Sequence, residues 1–121
     1  MDEAVAVFSP SGQLVMSNLA YALLWAHDPE GTMQGDAIRA VAAHWRAHSA
    51  PGSLWSEAEE FISTVGNRVA WRAEARLLDG RLLTCRFAPL SGGATLAAFR
   101  TIDPFEKARP ILAGADALKS A

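Results

Sequence analysis

The chain has 121 residues, half of them hydrophobic and a fifth charged, with a formal net charge of −2. That length makes one domain, able to bury roughly two thirds of its unfolded surface in a single core. The slight acidity excludes an electrostatic nucleic-acid binder, whose footprint is strongly basic.

In chain order, Ala4–Phe8 is a short apolar run, followed by the turn residues Pro10-Ser11-Gly12. Leu14–Ser17 resumes the extended pattern, so residues 4–17 read as a β-hairpin. Asn18 stands where a helix N-cap belongs. Leu19, Leu23 and Ala26 follow at helical spacing, with Tyr21, Leu24 and Trp25 widening the stripe, and His27-Asp28-Pro29-Glu30-Gly31 ends that helix. A second helix is expected over Gln34–His48, with Ile38, Val41, Ala42 and Trp45 on its inner face. A third is expected over Glu57–Val65, opened by a capping box of Ser56 and Glu59, with Ala58, Phe61, Ile62 and Val65 buried and Gly66 as its stop.

Three extended runs then follow, Val69–Leu78, Arg81–Leu90 and Ala94–Ile102. In the first, Trp71, Ala73, Ala75 and Leu77 alternate with Arg72, Glu74 and Arg76, the period of two that a half-buried strand needs. Asp79-Gly80 is the residue pair of a tight hairpin turn, and Ser91-Gly92-Gly93 makes the next turn slightly longer. The meander has an apolar face that the helices must cover. After Asp103-Pro104, Phe105–Lys119 has a loose heptad spacing that Pro110 and Gly114 interrupt.

No apolar run approaches the ~20 residues of a membrane span, and no basic-then-apolar leader opens the chain. The single cysteine, Cys85, excludes an internal disulfide and fits a reducing, cytoplasmic setting. The start and the ending Lys119-Ser120-Ala121 read as the limits of a domain cut from a longer protein.

The order of two strands, a helical middle and three strands resembles a PAS domain, the α+β sensor module of bacterial signalling proteins. The residues that carry the likeness are Ala4-Val5-Ala6-Val7-Phe8, Ser11-Gly12, Asn18-x-Ala20-Tyr21 with Leu24-Trp25, Asp79-Gly80-Arg81 and Thr101-Ile102-Asp103. The resemblance implies a PAS domain over residues 1–104, with a five-stranded antiparallel sheet in the order 2-1-5-4-3 and helices on one face. Residues 105–121 would be a C-terminal linker helix leading to a kinase dimerisation domain. Thr101 and Asp103 match the pair that, in this family, joins the strand end to that helix. Residues 115–121 resemble the entry to the dimerisation helix of bacterial sensor histidine kinases, and the DivL-type cell-cycle pseudokinase is one parent of that kind. The implied partners are a second copy, the downstream dimerisation helices and a response regulator, with no nucleic acid and no direct membrane insertion.

Trp45, Phe61, Trp71, Cys85, Phe87 and Phe99 are the candidates to line the cavity of such a domain, and so many rings favour a filled core over a cofactor. Cys85 lies mid-strand, whereas the flavin-binding cysteine of light-sensing PAS domains lies on a helix. His44 and His48 are four apart on one helix, a metal-compatible spacing without a third ligand on that face. Arg72, Glu74, Arg76 and Arg86 form either an interaction face or a solvated row. The nuclear-transport-factor and ketosteroid-isomerase type of fold places helices before its sheet and carries a buried acid. Here strands come first, and Asp79, Asp103, Glu57 and Glu59 read as turn, cap or surface residues. No cofactor, metal or catalytic group is expected. The function expected is a sensory or interaction module regulating a histidine kinase, with small-metabolite sensing as the alternative.

Overall fold

The computed structural model describes residues 3–26, 37–64 and 66–102. The turn at 27–31, the start of the second helix at 34–36, Val65, Asp103 and the linker helix at 105–121 lie outside the described residues.

β1 (Ala4–Phe8) and β2 (Leu14–Ser17) form the expected hairpin. Ser9 and Gly12 close its turn, and Gly12 takes a φ of 84° that favours glycine. A Cβ there would stand 3.3 Å from Ile38 Cγ2, so the turn rests on the start of α2. α1 (Leu19–Trp25) begins at Asn18, whose Oδ1 accepts from Tyr21 N at 2.9 Å. The same oxygen accepts from Val5 N, and Nδ2 donates to Glu3 O, so one amide fastens the helix to β1.

The face of α1 differs from expectation. Tyr21 and Trp25 are buried, while Leu19 and Leu23 are 73% and 74% exposed. The two pairs share a spacing of four and lie on nearly opposite sides of the helix. The rings take the inside because they fill more volume and the Tyr21 hydroxyl meets Trp45 Nε1 there.

α2 (Ile38–Ala47) buries Ile38, Val41, Ala42 and Trp45 as the periodicity requires. α3 (Leu54–Ser63) starts a turn earlier than the capping box at Ser56 implied. Ser53 occupies the cap position, its hydroxyl donating to Glu57 Oε2 at 3.0 Å. The earlier start lets Trp55 enter the core ahead of Ala58 and Ile62 on the same face. Thr64, rather than Gly66, ends the helix.

β3 (Trp71–Arg76), β4 (Leu82–Pro89) and β5 (Thr95–Ile102) form the meander. Trp71, Ala73 and Ala75 face inward as read, although Trp71 is only half-buried. β3 stops at Arg76 because Leu77 pairs instead with Ser49, in the link between α2 and α3. The hairpin loop is also longer than a two-residue Asp-Gly turn: Leu77 N donates to Arg81 O across Leu78, Asp79 and Gly80. Only Gly80 has a positive φ, at 96°. Asp79 instead accepts from Arg81 N and Nε at 3.0 and 2.8 Å, which holds its carboxyl below the usual range.

The strands assemble into one five-stranded antiparallel sheet in the order β2-β1-β5-β4-β3. The helices cover its inner face, and the core lies between the two layers.

Candidate functional site

The interior is a cluster of rings centred on Trp45, which is wholly buried. Its centroid lies 5.2 Å from Phe99, 5.7 Å from Trp55, 5.9 Å from Phe8 and 6.1 Å from Trp25. Most of these contacts are tilted or edge-to-face, the arrangements that ring quadrupoles prefer. Trp45 Nε1 donates to the Tyr21 hydroxyl at 3.0 Å. Burial raises the Tyr21 pKa far above the ordinary phenol value, and the bond from Trp45 opposes only part of that rise.

Of the sequence-predicted lining residues, Trp45, Cys85, Phe87 and Phe99 are brought together in the core. Phe61 and Trp71 form its half-buried rim, Trp71 stacking on Phe87 at 4.7 Å and Phe61 meeting Trp71 edge-on at 6.0 Å. Phe8, Tyr21, Trp25 and Trp55 are central residues that sequence reasoning left out of the lining. Trp55 was legible from its three- and seven-residue spacing to Ala58 and Ile62, had the helix been started earlier. Trp25 Nε1 is buried with no hydrogen-bond partner among the described residues.

Thr101 is half-buried on β5 opposite Leu83, and it lines a groove with Phe99, Ala4, Leu19, Leu23 and Arg81. Its predicted companion Asp103 lies outside the described residues. His44 Nε2 donates to Trp25 O at 2.7 Å, and His48 Nδ1 donates to His44 O at 2.9 Å. Each histidine thus commits a ring nitrogen to a carbonyl, and their rings lie 4.4 Å apart. Among the described residues no three His, Cys, Asp or Glu side chains gather as a metal site. No helix among them is long and apolar enough to cross a membrane.

Cys85 is buried on β4 opposite Ala73 and Phe99. Burial pushes its thiol up to about 12. In mildly alkaline buffer the folded domain is expected to resist a thiol reagent that labels the urea-unfolded chain, and rapid labelling of the folded form would contradict this burial. The sign of the linkage follows. Above the unfolded thiol value of ~8.5 the unfolded chain releases a proton that the folded chain keeps, so this group lowers stability as pH rises.

A polar tie closes the other end of the core. Arg68 donates to Phe61 O at the end of α3, to Gly93 O and Ala94 O in the turn before β5, and to the buried Thr95 hydroxyl. Its guanidinium also lies over the Phe61 ring at 5.0 Å.

Comparison with solved structures places this geometry among known folds. The PAS domain of BvgS from Bordetella pertussis superposes with a TM-score of 0.61 at 17% identity, over 98% of this chain and 89% of that one. A domain of an HTR-like protein from Haloarcula marismortui gives 0.59 at 19% identity, over 84% and 98%. The PAS domain of the Cronobacter turicensis quorum-sensing receptor RpfR, in complex with C12:0, gives 0.57 at 13% identity, over 85% and 96%. No curated protein matches the sequence. A family model described as the PAS fold matches residues 1–109. With nine-tenths of its length under that model, and the strand order of the sheet in agreement, the chain belongs to the PAS family.

Proposed function

We propose that this chain is a sensory or protein-interaction module that biases a downstream histidine kinase, or a kinase-like regulator of the DivL type, without performing catalysis itself. It works as a cytoplasmic homodimer, in a parent that is free or membrane-anchored. Its further partners are the dimerisation helices of that parent and a response regulator. The observation that carries this reading is the place of β5. This last strand is central in the sheet, bonded to both β1 and β4, and contributes Ala97 and Phe99 to the core before the chain runs on beyond Ile102. A change in core packing therefore reaches the segment after β5 through one strand.

Two features support a filled interior and a non-catalytic role. The central rings touch one another, which leaves little room for a cofactor. Three of the described acidic side chains serve local ends: Asp79 holds Arg81, Glu57 holds Ser53, and Glu59 stands 3.9 Å from Arg46.

The test uses the parent protein. Asp103→Ala removes the expected N-cap of the following helix, worth ~1 kcal/mol. That shifts a two-state output about fivefold while the domain stays folded. One residue inserted after Lys107 turns a helix by ~100° and disrupts output, whereas seven inserted residues, close to two turns, are better tolerated. Unchanged output in all three variants would sink the reading.

A second reading, small-metabolite sensing, is favoured by the indole N–H of Trp25, which finds no acceptor among the described residues and which a ligand acceptor would satisfy. Native mass spectrometry of the purified domain separates the two. The bare chain mass supports the filled core, and a retained adduct lost in Trp25→Phe supports the sensor.

A further inference from the structure

We propose that the outer face of β3, β4 and β5 holds a site for a dianionic phosphate ester, built by Arg72, Arg86 and Arg100 around Thr84. The sheet register brings them together. Arg72 stands directly opposite Arg86, and Thr84 directly opposite Arg100. Arg100 lies two residues beyond Ala98, the partner of Arg86, so the two arginines are diagonal neighbours. With strands about 4.8 Å apart, three guanidinium groups on adjacent strands can reach one point above the sheet. They line a common concavity of about 300 Å³ with Thr84 and Glu3.

The arrangement costs the fold something. Like charges directly opposite on neighbouring strands are destabilising. Arg86 has an answer, since its Nη2 donates to both Glu3 oxygens at 3.2 and 3.3 Å. The side chains of Arg72 and Arg100 make no hydrogen bond or ion pair with any described residue. The lining therefore carries three positive groups against one carboxylate, in a chain whose net charge is −2. Glu74 shares the face opposite Thr84 but does not line the concavity.

The surplus selects the ligand. A flat carboxylate occupies one guanidinium fork and brings a single charge. A phosphate monoester brings close to two charges and three acceptor oxygens, which suits donors arriving from several strands. The Thr84 hydroxyl supplies a further donor from the floor of the concavity.

The test is binding to the purified domain, followed by calorimetry, with three probes: inorganic phosphate, adenosine monophosphate and a phosphoserine peptide. Saturable binding of at least one probe is expected, with Arg72→Gln and Arg100→Gln each weakening it about tenfold or more. Arg76→Gln, on the same strand face outside the concavity, is expected to leave binding unchanged. Binding of the two small probes identifies a free phosphate compound as the source, and binding of the peptide alone identifies a phosphorylated side chain. Arg72→Gln should also unfold at the same or a higher denaturant concentration, because it relieves the like-charge pair. The proposal is overturned if no probe binds at millimolar concentration. It is equally overturned if Arg76→Gln weakens binding as much as Arg72→Gln, which would mean diffuse attraction. A clear loss of stability in Arg72→Gln would make that arginine structural and would overturn it too.

Discussion

Trp45→Ala is expected to lower the unfolding free energy by ~3–5 kcal/mol, measured by urea denaturation. The ring is fully buried, and its neighbours Phe8, Trp25, Trp55, Phe87 and Phe99 come from β1, α1, α3, β4 and β5. No single element can move in to fill the space without leaving its own partners. Truncation also takes the donor from the buried Tyr21 hydroxyl, an added loss of ~1 kcal/mol. Against a total stability of ~5–15 kcal/mol, the variant approaches the edge of folding. Trp71→Ala should cost about half as much, because Trp71 is half-buried at the rim and removing it opens a cleft to water rather than a sealed void. If the two variants lost equal stability, the core would not be centred where the rings place it.

Arg68→Ala is expected to cost ~2–4 kcal/mol through a different mechanism. The guanidinium serves four acceptors on three parts of the chain, and one of them, the Thr95 hydroxyl, is fully buried. Removing it leaves those acceptors short of a donor where water reaches only part of the site. Arg68→Lys should recover less than half of the loss, since an ammonium group is a point donor and cannot span the same fork. Arg46→Ala provides the contrast. Its ion pair with Glu59 is long, at 3.9 Å, with Arg46 exposed and Glu59 partly exposed, so the change should stay within ~0.5 kcal/mol. Equal effects at Arg68 and Arg46 would show that the tie adds nothing to the fold.

The elements that could be read from sequence are those whose determinants are local. The alternation from Trp71 to Leu77, the turn at Pro10-Ser11-Gly12 and the cap at Asn18 each lie within a few residues, and each stands where it was expected. Strand order came from the resemblance to the PAS family rather than from pattern. What failed depended on competition between distant partners. Leu19 with Leu23 and Tyr21 with Trp25 satisfy the same helical spacing, and only the arrival of Trp45 decides between them. The start of α3 is set by where Trp55 finds its neighbours, not by the strongest nearby capping signal. Arg68 had no legible role at all, because the acceptors that give it one stand as far as 27 residues away. Arg72 and Arg86 were visible as charged residues of a sheet face, but Arg100 was not singled out, and the convergence of the three needed the register between strands.

The central position of β5 bears on how the protein is made. Synthesis runs from β1 toward β5, so the strand that joins the two halves of the sheet is the last of these five strands to leave the ribosome. Until residues 95–102 emerge, the β1–β2 hairpin and the β3–β4 hairpin have no backbone bonds to each other, and each presents an open edge. Such edges are templates for pairing with other chains. A chain terminated before Thr95 is therefore expected to accumulate as aggregate, while one extending past Ile102 closes both edges in a single step.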